Sequence, residues 1–330
     1  MTKPFAVISD IVLVVLVIVG AIWLFASGFY GGGAITNRPL LPLSVDGSRI
    51  LLILTAVGIV VGLLFAGLRR ERTRVEHGEV VRYSLYDRVV HWAIAIGFIL
   101  AFASAVWILR WFGLEITNDI RPTLYLIHYV GAGLIVTAAA MFATSSRVRG
   151  QDALFPRWRD VGPAIARLFG YLGVYGESGA FGMRMPKSWQ PGAQATLADL
   201  GIKPDPSEGK FLAVEKVFSF TPLAILVVIV VATGLIKSAH YFFEMPSDLI
   251  YWTSWVHDVT AQLTIAFVGL HLAAILLVPR NWPGIRSMIF GRMSFRAVED
   301  EFPGWADELR QREPRATPTD GVPAHGTVGD

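Results

Sequence analysis

The stretch WVHDVTAQLTIAFVGLHLAAILL, residues 255–277, is long and apolar enough to cross a membrane, yet it contains two histidines. A histidine inside hydrocarbon costs free energy and needs a partner. His257 and His271 are separated by roughly 21 Å along a helix axis and by about 40° in direction. The two side chains therefore share one face of the helix, one near each surface of the membrane.

The composition of the whole chain is that of a membrane protein. Its 330 residues are 53% hydrophobic, whereas soluble domains average about 45–50%, and the apolar residues are grouped in blocks. Blocks long enough to span a bilayer lie at residues 6–29, 50–68, 89–112, 124–144, 217–236 and 251–278. The first block has only Lys3 before it and is too long for the core of a signal peptide, so we interpret it as a retained span. The sequence therefore predicts an all-α, polytopic membrane helix bundle.

Charge and cysteine content exclude several functions. The net charge of +3 gives no indication of nucleic acid binding. The chain contains no cysteine, so it forms no disulfide, ligates no iron–sulfur cluster and attaches no c-type haem covalently. A redox centre in this chain would need other ligands.

The arginines predict the orientation in the membrane. Arginine-rich segments follow the second, fourth and sixth predicted spans, at residues 69–74, 147–159 and 280–292, whereas the alternate loops contain few basic residues. Cytoplasmic loops carry the excess of arginine and lysine. We therefore expect both termini and the long loop 145–216 to be cytoplasmic.

Four of the seven histidines lie inside predicted spans, and the topology gives each a depth. His91 begins the third span on the cytoplasmic side, and His128 begins the fourth on the periplasmic side. His257 lies near the periplasmic start of the sixth span and His271 near its cytoplasmic end. Depth therefore pairs His128 with His257 and His91 with His271.

Paired histidines in spans have more than one interpretation. Two neutral imidazoles are common axial ligands of haem iron and leave no position open on the metal. Two such sites, about 20 Å apart, would carry electrons across most of the hydrophobic core. Alternatively, the histidines only form hydrogen bonds with neighbours, or they belong to a proton relay. A relay needs a carboxylate at mid-membrane, whereas Asp87 and Asp258 lie at the ends of their spans.

Glycines accompany the histidines, and they also have two interpretations. Gly131 and Gly133 follow His128, Gly269 precedes His271, and Gly97 lies six residues after His91. Glycine lets a flat macrocycle approach the backbone, but it also lets two membrane helices pack closely. The three histidines outside the spans are not expected to be ligands: His77, His240 and His325.

Several segments together resemble one known family. They are YDRVVHWAIAIGFIL (86–100), LIHYVGAGL (126–134), GKFLAVEKVFSF (209–220), the opening histidine segment, and GIRSMIFGRMSFRAVEDEFPGWADEL (284–309). In this order they resemble the gamma subunit of membrane-bound formate dehydrogenase, a cytochrome b. The resemblance covers residues 83–312 and includes the spacing of the last two histidines.

The resemblance implies a four-helix dihaem cytochrome b core with two additional N-terminal spans. It implies haem b at both sites, bound by His128 and His257 on the periplasmic side and by His91 and His271 on the cytoplasmic side. It also implies a quinone pocket beside the cytoplasmic haem, near His271 and the loop before the fifth span.

The resemblance also implies partners and a location. The partners would be an iron–sulfur subunit and a molybdenum- or tungsten-bearing catalytic subunit in the inner membrane of a bacterium, surrounded by lipid. The family commonly has Asn-Ala-Gly-Gln-Lys where this chain has residues 212–216, Leu-Ala-Val-Glu-Lys. We therefore expect Glu215 and Lys216, with Arg88 or Asp87, to contact quinone or haem propionates.

The predicted organisation has three parts. Residues 1–75 form two additional spans and a charged linker, residues 76–295 the dihaem domain, and residues 296–330 a cytoplasmic extension with a disordered tail. The predicted function is that of a membrane-anchoring cytochrome b subunit that passes electrons to quinone. The alternatives are a cytochrome b subunit of another oxidoreductase, such as a hydrogenase or a sulfur-compound reductase, and a haem-free membrane anchor.

Overall fold

The computed structural model of the chain describes residues 40–68, 75–109, 113, 117–149, 154–175, 184–240 and 244–312. Four helical segments within these ranges are long and apolar enough to cross a membrane. They are Leu85–Ile108, Arg121–Ser146, Glu215–Ala239 and Ser247–Leu277. The third to sixth predicted spans are confirmed, and the predicted all-α membrane bundle is the observed fold.

The helices are numbered here in chain order. Around the membrane they are α1 (Leu40–Leu68), α2 (Leu85–Ile108), α3 (Arg121–Arg149), α6 (Thr221–Ala239) and α7 (Ser247–Leu277). A π-helical segment, Glu215–Phe220, runs directly into α6. The shorter helices are α4 (Trp158–Tyr171), α5 (Gln190–Asp199), α8 (Trp282–Phe290), α9 (Phe295–Glu301) and α10 (Pro303–Arg312).

Helix α2 begins at a complete capping box. The Ser84 hydroxyl accepts a hydrogen bond from the Asp87 backbone N–H at 3.1 Å, and the Asp87 carboxylate accepts one from the Ser84 N–H, also at 3.1 Å. These bonds satisfy donors that a helix start otherwise leaves unpaired. The cap fixes the start of α2 two turns before His91.

Close glycine contacts join α1, α2 and α3. A Cβ atom on Gly131 would lie 2.6 Å from the Gly97 carbonyl oxygen, and one on Gly58 would lie 2.5 Å from the Thr137 oxygen. Such contacts bring helix backbones together in membranes. Gly97 and Gly131 therefore serve the packing of α2 on α3, one of the two roles expected for them.

A buried hydrogen bond strengthens the same contact. The hydroxyl of Tyr86, on α2, donates to the carbonyl oxygen of Met141, on α3, at 2.8 Å. Tyr86 also stacks on Phe65 of α1, with ring centroids 5.6 Å apart. Helices α1, α2 and α3 therefore form one packed layer.

Helix α6 packs against this layer, and α7 packs mainly against α6. The contact of α6 with α2 and α3 consists of apolar side chains: Phe98, Ala101, Ile135, Leu223, Val227 and Val231. Many apolar side chains along α7 are exposed, including Leu263, Leu270 and Leu276. The pair α6 and α7 is thus less enclosed by protein than the pair α2 and α3.

Three short strands form a small sheet at the end of the bundle near His91. The strands β1 (Val75–Glu76), β2 (Glu79–Val81) and β3 (Arg292–Ser294) pair antiparallel in the order β1-β2-β3. Helices α9 and α10 cover the sheet. They form a core with side chains from distant segments: Val80, Leu212, Met293, Val298, Phe302, Trp305, Ala306 and Leu309.

Several other sequence predictions can be compared with this fold. Helix α4 lies within the long loop 145–216, and α8 lies within the arginine-rich segment that follows the sixth predicted span. The second predicted span lies in α1, whose apolar part, Ile53–Ala66, is shorter than the four spans. The first predicted span and the tail after Arg312 lie outside the described residues. The strands were not predicted, and the division into three domains stays a prediction.

Candidate haem-binding histidines

Helices α3 and α7 bring His128 and His257 together. Their ring centroids are 6.5 Å apart, and the ring planes meet at 69°. His128 lies two turns from the start of α3, and His257 lies three turns from the start of α7. The two helices begin at the same end of the bundle, which gives the histidines the same depth. This juxtaposition agrees with the pairing predicted from the sequence.

Hydrogen bonds occupy one nitrogen of each of these rings. His128 Nδ1 lies 3.1 Å from the Ala101 carbonyl oxygen and 3.3 Å from Ser104 Oγ. His257 Nδ1 lies 3.0 Å from Thr233 Oγ1. A carbonyl oxygen can only accept, so the proton of His128 is on Nδ1, and Nε2 keeps its lone pair.

The same argument applies to His257. The Thr233 hydroxyl donates its single proton to its own helix, to the Ile229 oxygen at 2.7 Å and the Val230 oxygen at 3.2 Å. Its oxygen therefore accepts a hydrogen bond from His257 Nδ1. In the neutral form, in which histidine ligates metals, both rings would therefore carry their proton on Nδ1 and offer Nε2 to a metal.

The spacing of the two rings fits one metal ion between them. Metal–imidazole bonds are about 2 Å long. With about 1 Å more from nitrogen to ring centre on each side, two axial histidines have centroids about 6 Å apart. The observed separation of 6.5 Å agrees with this value. Two neutral imidazoles with no third ligand are the donor set of a six-coordinate haem iron.

His91 and His271 lie together at the other end of the bundle. His91 is two turns from the start of α2, and His271 is two turns from the end of α7. They are close enough that a positive charge on one ring would act on the other. His91 also contacts the edge of Trp92, with centroids 5.6 Å apart. Helix α7 therefore contributes one histidine to each pair.

Trp92 and Arg88 fasten this end of α2 to α8. The indole nitrogen of Trp92 donates to the Met288 oxygen at 3.3 Å. Arg88 Nη1 donates to the Ile289 oxygen at 2.7 Å, while its Nε is buried without a partner among the described residues. Arg88 therefore retains one unused donor beside the His91 level.

The other predicted contact residues already have partners. Glu215 Oε1 accepts a hydrogen bond from Arg82 at 3.1 Å, and its second oxygen accepts one from the Leu212 N–H at 3.0 Å. Lys216 Nζ lies 3.7 Å from Asp160 of α4. The Asp87 carboxylate is held in the capping box of α2.

Arg82, which the sequence did not single out, is the centre of this region. Its side chain is 2% exposed, and its guanidinium lies 4.2 Å from the centroid of the Phe302 ring. Burial raises the pKa of the neighbouring Tyr83 to about 12, so its hydroxyl stays protonated at neutral pH. Arg82 joins the π-helix, through Glu215, to the small sheet and to Phe302, between α9 and α10.

Ser104, Thr233 and Gly234 were also not singled out from the sequence. A Cβ atom on Gly234 would lie 3.3 Å from His257 Cε1, so the histidine ring packs against this glycine. Within the described ranges, no three histidine, cysteine, aspartate or glutamate side chains converge as a metal site. The histidine pairs are therefore the candidate metal ligands of the described chain.

Comparison with known proteins gives the family. The model of the family described as prokaryotic cytochrome b561 matches residues 82–291. The chain belongs to the prokaryotic cytochrome b561 family. This membership implies haem b binding and the role of a membrane cytochrome b in electron transfer. Neither the comparison with curated proteins nor that with solved structures found a match.

The matched range covers the functional part of the bundle. It runs from Arg82 to Gly291 and includes both histidine pairs, the capped start of α2 and the π-helix. It leaves α1 outside, together with the helices that cover the small sheet. The family match is therefore a match to the four spans and their connecting loops.

Proposed function

We propose that this cytochrome b passes electrons through two b haems to membrane quinone, from a formate dehydrogenase-like partner. The partner would comprise an iron–sulfur subunit and a molybdenum- or tungsten-bearing catalytic subunit. The observation that carries the proposal is the pair of histidines on α7. His257 and His271 lie on the same face of α7. His257 lies close to His128 of α3, and His271 lies close to His91 of α2.

The arrangement of the four ligands supports two haems and not one. Fourteen residues of continuous helix separate His257 from His271, roughly 21 Å along the axis. One macrocycle cannot use both histidines as ligands over that distance. We assign His128 and His257 to the periplasmic haem and His91 and His271 to the cytoplasmic haem.

The proposed direction of transfer rests on the resemblance to the formate dehydrogenase subunit, and the depth of the histidines in the proposed topology gives the path. Both termini are placed in the cytoplasm of a bacterial cell, with the spans in the inner membrane, because the arginine-rich loops lie on that side. Electrons then arrive at the His128/His257 level from a periplasmic partner. They leave at the His91/His271 level.

The quinone contact is proposed at the His91/His271 end, near the π-helix. Arg88 is a stronger candidate than Asp87, because the Arg88 Nε has no partner among the described residues, whereas the Asp87 carboxylate caps α2. Glu215 and Lys216 remain candidates for quinone or propionate contacts, although each also forms an ion pair. A π-helical turn beside such a site is consistent with function, since these turns are frequent at functional sites.

A different catalytic partner is the second candidate, because membership in the family is broader than the resemblance to one subunit. A hydrogenase or a sulfur-compound reductase would use the same two haems. Identification of the subunits that copurify with the chain distinguishes these partners. A haem-free anchor is distinguished by the absorption spectrum of the purified chain.

The deciding experiment counts haem in the purified chain. A pyridine haemochrome assay should give two b haems per chain, with spectra of low-spin, bis-histidine iron. His128→Ala and His257→Ala should each remove the same haem, and His91→Ala and His271→Ala the other. His240→Ala is the matched control and should retain both. One haem per chain, or none, contradicts the proposal.

The quinone step needs the intact complex. Quinone reduction should fall in Glu215→Gln, Lys216→Met and Arg88→Gln while the haem content stays at two per chain. Loss of haem together with activity would indicate a structural role of the ion pairs. If all three variants keep full quinone turnover, the quinone site lies elsewhere.

A further inference from the structure

Two buried hydroxyl groups face the histidines of one pair. Ser104 on α2 is 2% exposed, and Thr233 on α6 is 9% exposed. Each lies in a span, where an unpaired polar group costs several kcal/mol by order of magnitude. Each also lies 24 positions before the histidine that it contacts, His128 or His257. The two helix hairpins thus repeat one arrangement.

Both hydroxyl groups donate their proton to carbonyl oxygens of their own helix. Ser104 Oγ donates to the Leu100 oxygen at 2.8 Å and the Ala101 oxygen at 2.9 Å. Thr233 does the same with the carbonyls three and four residues before it. What each hydroxyl offers to the histidine is an acceptor.

The acceptor fixes the histidine in three respects. It keeps the proton on Nδ1, it sets the rotation of the ring, and it makes the imidazole a more basic ligand through Nε2. At His128 the Ala101 carbonyl oxygen, 3.1 Å from Nδ1, acts as a second acceptor beside Ser104. A more basic axial ligand stabilises the oxidised iron more than the reduced iron, because the oxidised iron carries the greater charge. The reduction potential of a haem held by these ligands is therefore lowered.

The second pair lacks this arrangement. Within the part of the chain that the structure describes, no hydroxyl or carbonyl group is hydrogen bonded to His91 or His271. The imidazole of His91 instead meets the edge of Trp92. Both pairs therefore consist of two histidines, but among the described residues only the His128/His257 pair has hydrogen-bond acceptors at the Nδ1 atoms.

We propose that Ser104 and Thr233 are positioning residues that lower the reduction potential of the His128/His257 haem relative to the His91/His271 haem. This inference rests on the proposed function, in which each pair binds one haem. With both haems bound, electron transfer from the His128/His257 level to the His91/His271 level would then be in the favourable direction. The chain itself, through its hydroxyl groups, supplies part of the driving force.

The test is a redox titration of the purified chain, followed by absorption and by electron paramagnetic resonance. Ser104→Ala and Thr233→Val should raise the midpoint potential of one haem and leave the other unchanged. We expect about a tenfold change in the ratio of reduced to oxidised haem at fixed potential, which corresponds to about 59 mV for one electron. Thr233→Ser keeps the acceptor and should restore the wild-type value.

Thr144→Val is the matched control. The Thr144 hydroxyl donates to the Ala140 and Met141 oxygens at 2.7 and 3.2 Å, the same distances as for Thr233, and it contacts no histidine. Its substitution removes a helix-bonded hydroxyl from a span and should leave both potentials unchanged. A shift of both haems in Thr233→Val, or an equal shift in Thr144→Val, contradicts a specific effect on one site.

Failure of this inference is distinguishable from failure of the proposed function. A wild-type chain with fewer than two haems contradicts the proposed function. A chain that keeps two low-spin haems in Ser104→Ala and Thr233→Val, with both potentials unmoved, contradicts the inference alone. If one of the two variants loses haem, the other still removes one acceptor from the same histidine pair, and its midpoint potential alone then tests the inference.

Discussion

The hairpins α2–α3 and α6–α7 hold their histidines in the same way but are packed differently. In each, a hydroxyl on the first helix contacts a histidine on the second. In the most apolar windows of α2 and α3, 33% and 39% of the residues are buried, against 11% in each of the other two spans. The two hairpins therefore share the contact between a hydroxyl and a histidine, although the helices of the first are more deeply buried in protein than those of the second.

The unequal packing of the two hairpins means that His128 and His257 are held in position by different contacts. His128 belongs to a hairpin whose helices touch backbone to backbone and are covered by α1. His257 belongs to a hairpin whose position depends mainly on the contact of α6 with α7. Substitutions in the first hairpin should reduce stability, whereas substitutions in the second should mainly change the geometry of the histidine.

The largest effect is expected from a methyl group at Gly131, where two helix backbones are in close contact. Gly131→Ala places a Cβ 2.6 Å from the Gly97 oxygen and 2.7 Å from the Ala101 nitrogen, both backbone atoms that cannot move independently. We expect a loss of about 3 kcal/mol in the free energy of unfolding, because overpacking forces a shift of the helix. A titration with dodecyl sulfate, followed by circular dichroism, measures this loss.

Gly269→Ala in the open hairpin is the control for this prediction. No other heavy atom lies within 4 Å of a Cβ at Gly269, and the residue faces away from His271, about 200° around the helix. Alanine favours helix over glycine by up to about 1 kcal/mol, so stability should stay equal or rise slightly. Equal losses in the two variants would refute the contrast between the hairpins.

A smaller effect is expected from the buried hydroxyl of the packed hairpin. Tyr86→Phe removes the donor to the Met141 oxygen and keeps the ring that stacks on Phe65. We expect a loss of about 1–2 kcal/mol in the free energy of unfolding, because the carbonyl stays buried with fewer partners. Haem content should be unchanged, since the hydroxyl that is removed donates to the Met141 oxygen and not to a histidine. A loss of haem without loss of stability would contradict this assignment.

The sequence predicted much of this organisation for physical reasons. Hydropathy located the four spans, because a span has a fixed minimum length in apolar residues. Helical rise and topology paired His128 with His257, because depth follows from position in a helix. The hydroxyl partners were not predictable, since Ser104 and Thr233 reach the histidines only through the rotation of one helix against another.

The region around Arg82 was missed for a different reason. Its contacts join segments far apart in the chain, since Arg82 and Glu215 are 133 positions apart. Strands of two or three residues show no periodicity that a sequence pattern could reveal. Resemblance to a known subunit indicated Glu215 as a quinone contact, but its ion pair with the buried Arg82 was visible only in the structure.

The smallest effect on stability is expected from Gly234→Ala, in the open hairpin. The new Cβ would lie 3.3 Å from His257 Cε1, which is tight but opposed by a side chain that can rotate. The gain in helix propensity, up to about 1 kcal/mol, roughly offsets the crowding. The free energy of unfolding should therefore change by less than about 1 kcal/mol. The crowding instead acts on the ring itself, which would turn about its Nδ1 hydrogen bond to Thr233. We expect a changed electron paramagnetic resonance signal from one haem, with the other signal unaltered and two haems retained.

Gly269→Ala again serves as the control and should alter neither signal. A large loss of stability with unaltered signals would show that Gly234 serves helix packing, as Gly131 does, and would remove the distinction between the two hairpins.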